Sequence, residues 1–302
     1  MNKIVIIVCL LLMAAIRVPA QQPDFPKLTG PYLGQKPPGM TPEVFAPGIV
    51  SIEGIQSKLL VSSDGSEIIF KNMVVEGNSP ADRKVSFVSI RMENGSWGLP
   101  VDIPFSTGYL NDEPTLSPDW KRLFFVSNRP KEGETETQRM PDIWVAERNS
   151  NGWSEPNNLG APVNTEGLEV QPFLGTDNTL YFGRADGIYC SQFSDGQFSE
   201  PVKLDENIFK GRVRGICISP DNRTLIAHSD KPGGYGGWDL YVSFKDKEGN
   251  WTDLLTMGRV INTELPEANA TFSSDGKYMF FSRGDDIYWV STKIIEELKP
   301  KY

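Results

Sequence analysis

One short phrase, written five times, constrains this chain more than any other feature. It reads Ser63-Asp64-Gly65 ahead of Ile68-Ile69-Phe70, and Ser117-Pro118-Asp119-Trp120 ahead of Leu123-Phe124-Phe125. It returns as Thr176-Asp177-Asn178 ahead of Leu180-Tyr181-Phe182, and as Ser219-Pro220-Asp221-Asn222 ahead of Leu225-Ile226-Ala227. The last copy is Ser273-Ser274-Asp275-Gly276 ahead of Tyr278-Met279-Phe280-Phe281. Successive aspartates lie 55, 58, 44 and 54 residues apart. A supersecondary unit recurring at that period cannot bury both faces of its own small sheet, so it must pack against neighbouring copies.

Each copy predicts four strands. A strand such as Glu113-Pro114-Thr115-Leu116 precedes the aspartate, and an aromatic or β-branched run follows it. The Asp-Gly, Asp-Asn and Asp-Trp steps between them suit a tight turn, where positive φ and local side-chain bonds are favoured. Third strands follow at Val85-Ser86-Phe87-Val88, Asp142-Ile143-Trp144-Val145, Gly187-Ile188-Tyr189-Cys190, Asp239-Leu240-Tyr241-Val242 and Asp286-Ile287-Tyr288-Trp289. Fourth strands begin at Trp97, Trp153, Phe198 and Trp251, and Pro100, Pro156 and Pro201 mark them as edge strands, where a missing backbone donor is tolerated. Radial repetition of such units is an all-β, five-bladed β-propeller of four-stranded antiparallel blades.

The fifth copy ends without its fourth strand, and the segment around Val44 to Ile52 is the expected donor that closes the ring and removes the open edge. Six blades is the alternative, if Gln21 to Met40 hides a degenerate unit; its Pro/Gly-rich composition reads instead as an extended arm across one face. Residues 1–20, with Lys3, an apolar run from Ile4 to Ile16 and Val18-Pro19-Ala20, read as a signal peptide cleaved after Ala20. The expected organisation is therefore 1–20 signal peptide, 21–40 arm, and 41–302 a single propeller with a short C-terminal tail. Periplasmic or secreted location follows, with outer-membrane association possible but no transmembrane span.

Losing Lys3 and Arg17 with the signal moves the formal charge from −9 to −11, which disfavours nucleic acid as a partner. Cys190 and Cys217 sit in apolar strand patterns and read as buried free thiols, though an oxidising compartment would let them pair. His228 is the only histidine, and no Cys-x-x-Cys, His-Glu-x-x-His or Gly-x-Ser-x-Gly occurs. No metal and no cofactor are expected.

Ser-Pro-Asp before an apolar strand, Ser127-Asn128-Arg129-Pro130, Asp-Ile-Trp and Trp-Ser-Glu-Pro together resemble the WD40-like repeat of TolB-type propellers. Ser229-Asp230-Lys231-Pro232-Gly233-Gly234-Tyr235-Gly236-Gly237-Trp238-Asp239 and Pro162-Val163-Asn164-Thr165-Glu166-Gly167 are similar to repeats in envelope proteins of Bacteroidetes-like bacteria. The resemblance spans roughly Thr41 to Ser291 and implies a propeller that acts as an interaction module. In that group an OmpA-type domain often follows, and none is read here.

A site would lie at the end of the blades opposite the aspartate turns, where the inner strands begin. Positions six before each aspartate are Lys58, Glu113, Gln171, Gly215 and Asn269; positions eight before are Gln56, Asn111, Glu169, Val213 and Glu267. Blade four adds Arg212 and Arg214. The candidate ligand-binding set is Asn111, Glu113, Glu169, Gln171, Arg212, Arg214, Glu267 and Asn269. Arg129, Arg184, Lys231 and Arg283 are expected to pair with Asp142, Asp186, Asp239 and Asp286. Two functions fit. The first is a non-catalytic, monomeric binding or scaffold propeller that engages an envelope protein or a glycan through its loop-rich face. The alternative is a glycoside hydrolase or polysaccharide lyase using Glu113, Glu169 and Glu267 as its acids.

Overall fold

The computed structural model describes residues 25–77, 83–150, 152–205, 209 and 213–299; the expected signal peptide and Arg212 lie outside them. Five antiparallel sheets follow one another along the chain. Their inner strands are Ile55–Val61, Asn111–Leu116, Val170–Leu174, Val213–Ile218 and Glu267–Phe272. Second and third strands continue outward in chain order, so the fold is a five-bladed β-propeller.

The aspartate phrase builds the inner turn of each blade. Asp64, Asp119, Asp221 and Asp275 accept hydrogen bonds from the hydroxyls of Ser62, Ser117, Ser219 and Ser273, two residues earlier. Those same serine oxygens accept the backbone N–H of Glu67, Arg122, Thr224 and Tyr278, which opens each second strand. Blade three has Gly175 at the serine position, so its turn lacks both serine hydroxyl bonds while keeping the Asp177 bond to the Thr179 N–H, at 3.0 Å. The working unit is Ser-x-Asp, and in blade one its serine is Ser62, not the adjacent Ser63.

The expected fourth strands are each broken in two. In blade one, Ser96–Trp97 and Val101–Asp102 both pair with the third strand Arg83–Glu93, and Pro100 sits in the break. Blades two and three repeat the break at Pro156 and Pro201. Blade five takes its outer strand from Glu43–Val44, which pairs with Trp289 and Tyr288. The N-terminal segment thus closes the ring. Before that strand, the chain runs between blades five and one, packing Leu28, Tyr32 and Leu33 beside Trp97, Phe280 and Trp289. It lies in an interblade groove and not across a face. The cores are likewise interblade layers, as in the cluster of Phe87, Leu123, Phe125 and Trp144 between blades one and two.

Cys190 and Cys217, the cysteines among the described residues, are free; Cys217 is buried and Cys190 half-buried. No helix among the described residues is long and apolar enough to cross a membrane.

Candidate functional site

Every inner strand carries a register shift three or four residues before its turn, between Ser57 and Leu60, Asp112 and Thr115, Val170 and Phe173, Val213 and Gly215, and Ala268 and Thr271. At the shift, Lys58, Glu113, Gln171 and Asn269 adopt left-handed backbone with φ of 52°, 56°, 53° and 57°. Such a bulge turns a side chain out of the pleat and re-aims it. Here it collects the four side chains around the propeller axis. Glu113 accepts the backbone N–H of Gln171 in a short bond, and the Gln171 Nε2 at 2.6 Å. Gln171 Nε2 also reaches Asn269 Oδ1 at 3.3 Å. Blade four supplies Gly215, and a Cβ there would meet the Gln171 side chain at 2.8 Å. That close approach lets Gln171 cross the axis.

Lys58 enters the same cluster and is almost fully buried, with no hydrogen bond or ion pair from its Nζ among the described residues. Burial pulls its ammonium below the usual lysine range, against the nearby Cys217, Glu113 and Asp112. Burial pushes the Glu113 carboxyl up to about 7, reinforced by Asp112 and opposed by the Gln171 N–H, Lys58 and Lys71. Burial also holds His228 down to about 3, with Lys58 and Arg214 adding to the effect, and pushes the Cys217 thiol up to about 12. The recess bounded by Lys58, Gln171, Gly215, Cys217, His228 and Asn269 leaves no room for even a water molecule. The axis is a plug.

The positions two residues earlier are elsewhere. Glu169 and Glu267 have no exposed surface and are held by one repeated clip. Glu169 accepts Arg184 Nε at 3.1 Å, Thr165 Oγ1 at 2.7 Å and Thr165 N at 3.2 Å. Glu267 accepts Arg283 Nε at 3.1 Å, Thr263 Oγ1 at 2.6 Å and Thr263 N at 3.0 Å. Each arginine then donates to the crossover loop, at Val163 O and Ile261 O. The preceding asparagines, Asn164 and Asn262, bond both backbone groups of Ile143 and Leu240 on the third strand of the blade before. In blade two the neutral Asn111 replaces the acid, accepting Arg129 Nη2 at 3.0 Å and donating to Ser106 O and Tyr109 O.

These partners correct the expected pairing of the loop bases. Arg184 and Arg283 are bound to inner-strand glutamates, each giving Nε to the buried carboxylate and Nη2 to a carbonyl of the crossover loop, in place of the more exposed Asp186 and Asp286. Asp142 pairs instead with Lys131 and Asn158, Asp186 with Lys203 and Tyr189, and Asp239 with the N–H groups of Tyr235 and Gly236. The structure therefore brings Glu113, Gln171 and Asn269 together, with Lys58 as the added member. Asn111, Glu169 and Glu267 sit in separate clips, and Arg214 lies near His228 and Trp238 on blade four. The clip had a sequence signal: Val163-Asn164-Thr165-Glu166 ahead of Glu169 is matched by Ile261-Asn262-Thr263-Glu264 ahead of Glu267. Among the described residues, no group of three histidine, cysteine or acidic side chains is arranged to hold a metal.

No protein-family model matches the chain, and no curated protein matches it. Solved structures similar to it include a TolB candidate from Agrobacterium tumefaciens, at 17% identity over 78% of this chain and 72% of that one, with a TM-score of 0.47. A gluconolactonase from Xanthomonas campestris matches at 12% identity over 89% and 98%, with a TM-score of 0.48. A glycosyl hydrolase from Bacteroides ovatus matches at 10% identity over 80% and 85%, with a TM-score of 0.48. Likeness at this level carries no statement about activity or ligand.

Proposed function

We propose that this chain is a non-catalytic binding or scaffold propeller of the cell envelope that engages another protein through its loop-rich face. One observation carries the reading. Large apolar side chains are exposed where crossover loops enter the inner strands, where a second strand ends or where a third strand begins: Ile52, Val75, Tyr109, Leu110, Met140 and Leu265. Scattered apolar residues are ordinary on a surface, but that these six of the twelve exposed among the described residues fall at one end of the blades fits a docking face. The acids that a glycosidase would need are engaged inside the molecule, Glu169 and Glu267 in buried ion pairs and Glu113 in its bonds to Gln171.

The test is a pull-down of purified protein against envelope extract, run beside a glycan array and a glycan-turnover assay. A specific envelope protein should bind the wild type and be lost by Leu110→Asp and Leu265→Asp, which alter exposed side chains only. Turnover of a glycan, abolished by Glu113→Ala, would sink this reading in favour of the enzyme.

A further inference from the structure

Grooves open between the outer parts of adjacent blades, and the chain fills one of them itself. Between blades five and one, Thr29 pairs antiparallel with Ser96 on the outer edge of blade one. The Trp97 N–H donates to Leu28 O at 2.9 Å, and the Trp97 indole Nε1 donates to Gly30 O at 2.7 Å. Tyr32 then packs between the blades, 5.3 Å from the rings of both Tyr278 and Trp289.

The next groove, between blades one and two, repeats the receptor without the occupant. Trp153 lies opposite Arg148, and Ser154 N donates to Glu147 O, as Trp97 lies opposite Met92 while Gly98 N donates to Arg91 O. The register is the same, so the Gly152–Trp153 edge faces outward as Ser96–Trp97 does. Its indole Nε1 is buried and has no acceptor among the described residues. Beside it lies a cleft of about 520 Å³ walled by Leu99, Val101 and Phe105 of blade one. Val101 is 62% exposed and Leu99 45%. The corresponding edge residue of blade three is Phe198, which has no polar donor; in blade four it is Trp251, which pairs with Lys245 as Trp153 pairs with Arg148 but whose indole is not among the buried ones that lack an acceptor.

We propose that the groove between blades one and two binds an extended peptide segment of a partner protein, added as a strand to the Gly152–Trp153 edge. The chain's own arm shows the chemistry the groove accepts: a backbone carbonyl for the indole, aliphatic and aromatic anchors, and a Gly-Pro step between them. Glu93 and Glu155 line the open groove, so the segment carries a base beside its anchors, as Lys27 and Lys36 flank Leu28, Tyr32 and Leu33 in the arm. A second copy's arm is the poorer occupant, because each arm is already bonded into its own molecule. This groove is distinct from the loop-rich face, so the two sites fail or hold independently.

The probe is a fluorescein-labelled peptide with the sequence of residues 26–37, titrated by anisotropy into the purified full-length protein beside a scrambled control. Saturable binding is expected, at least tenfold weaker for the scrambled peptide. Leu99→Asp and Val101→Asp, both exposed and compatible with the fold, should each weaken it at least tenfold, while Leu265→Asp leaves it unchanged. No saturable binding, equal affinity for the scrambled peptide, or indifference to Leu99→Asp overturns the proposal. Self-association of the protein that Leu99→Asp abolishes also overturns it, since the occupant would then be a second copy.

Discussion

At the scale of single residues, the axial plug holds two groups whose titrations run in opposite directions. Glu113 has its folded carboxyl near 7, above its ordinary 4.5. A raised acid contributes stability that is complete below about 4.5 and is lost as the pH rises through about 7. His228, held near 3 against an ordinary 6.5, behaves oppositely: its contribution is complete above 6.5 and is lost as the pH falls toward 3. A histidine so buried stays neutral throughout the physiological range. Replacing Glu113 by Gln removes one slope and leaves the other. The urea midpoint of the variant should gain on that of the wild type as the pH rises from 4.5 to 7, and the Glu113 carboxyl carbon should titrate near 7 by NMR. A Glu113 titration at its ordinary value would show that the donors from Gln171 outweigh burial.

At the scale of the element, the repeated clip ties each crossover loop to the blade before and the strand after. Arg283→Leu leaves the Glu267 carboxylate buried without its partner, and stranding one member of a buried pair costs about 3–5 kcal/mol. Arg184→Leu should cost the same, since Glu169 is as fully buried and sits in the same bonds. Arg129→Leu should cost less, because its partner Asn111 is neutral. Urea unfolding of the three variants checks the order; equal losses would mean that the loop carbonyls, and not the carboxylates, are what the arginines serve. The blades were legible in sequence because a turn built from Ser-x-Asp and a Pro-broken edge strand are local chemistry. The plug was not, and the clip left only the repeated Asn-Thr-Glu as its signal. Counting back from the aspartates assumes unbroken alternation, and the bulges at Lys58, Glu113, Gln171 and Asn269 interrupt it. Nothing local in those four side chains announces left-handed backbone, so Glu169 and Glu267 looked like mouth residues while Lys58, named at its ring position, was left out of the candidate set.

At the scale of the whole molecule, stability depends on a contact between the two ends of the ring. Glu43 pairs with Trp289, Phe45 N donates to Ile287 O at 2.8 Å, and Gln56 N donates to Asp285 O at 2.8 Å. The Phe45 ring, fully buried, meets Phe280 and Trp289 edge-on at 5.3 and 5.2 Å. Removing such a ring from a packed core costs about 3–5 kcal/mol. Its consequence should exceed that of an equal loss elsewhere, because it frees the outer edge of blade five, and an unpaired strand edge templates association with other chains. Phe87→Ala is the matched control: that ring is equally buried, between blades one and two, and takes no part in closure. Both variants should lose stability to a similar extent in urea. Only Phe45→Ala should scatter light on warming to temperatures below its unfolding midpoint, because local release of the N-terminal strand precedes global unfolding there. Equal scattering from the two variants would mean that the blades open together and that the closing strand is no weaker a point than any other.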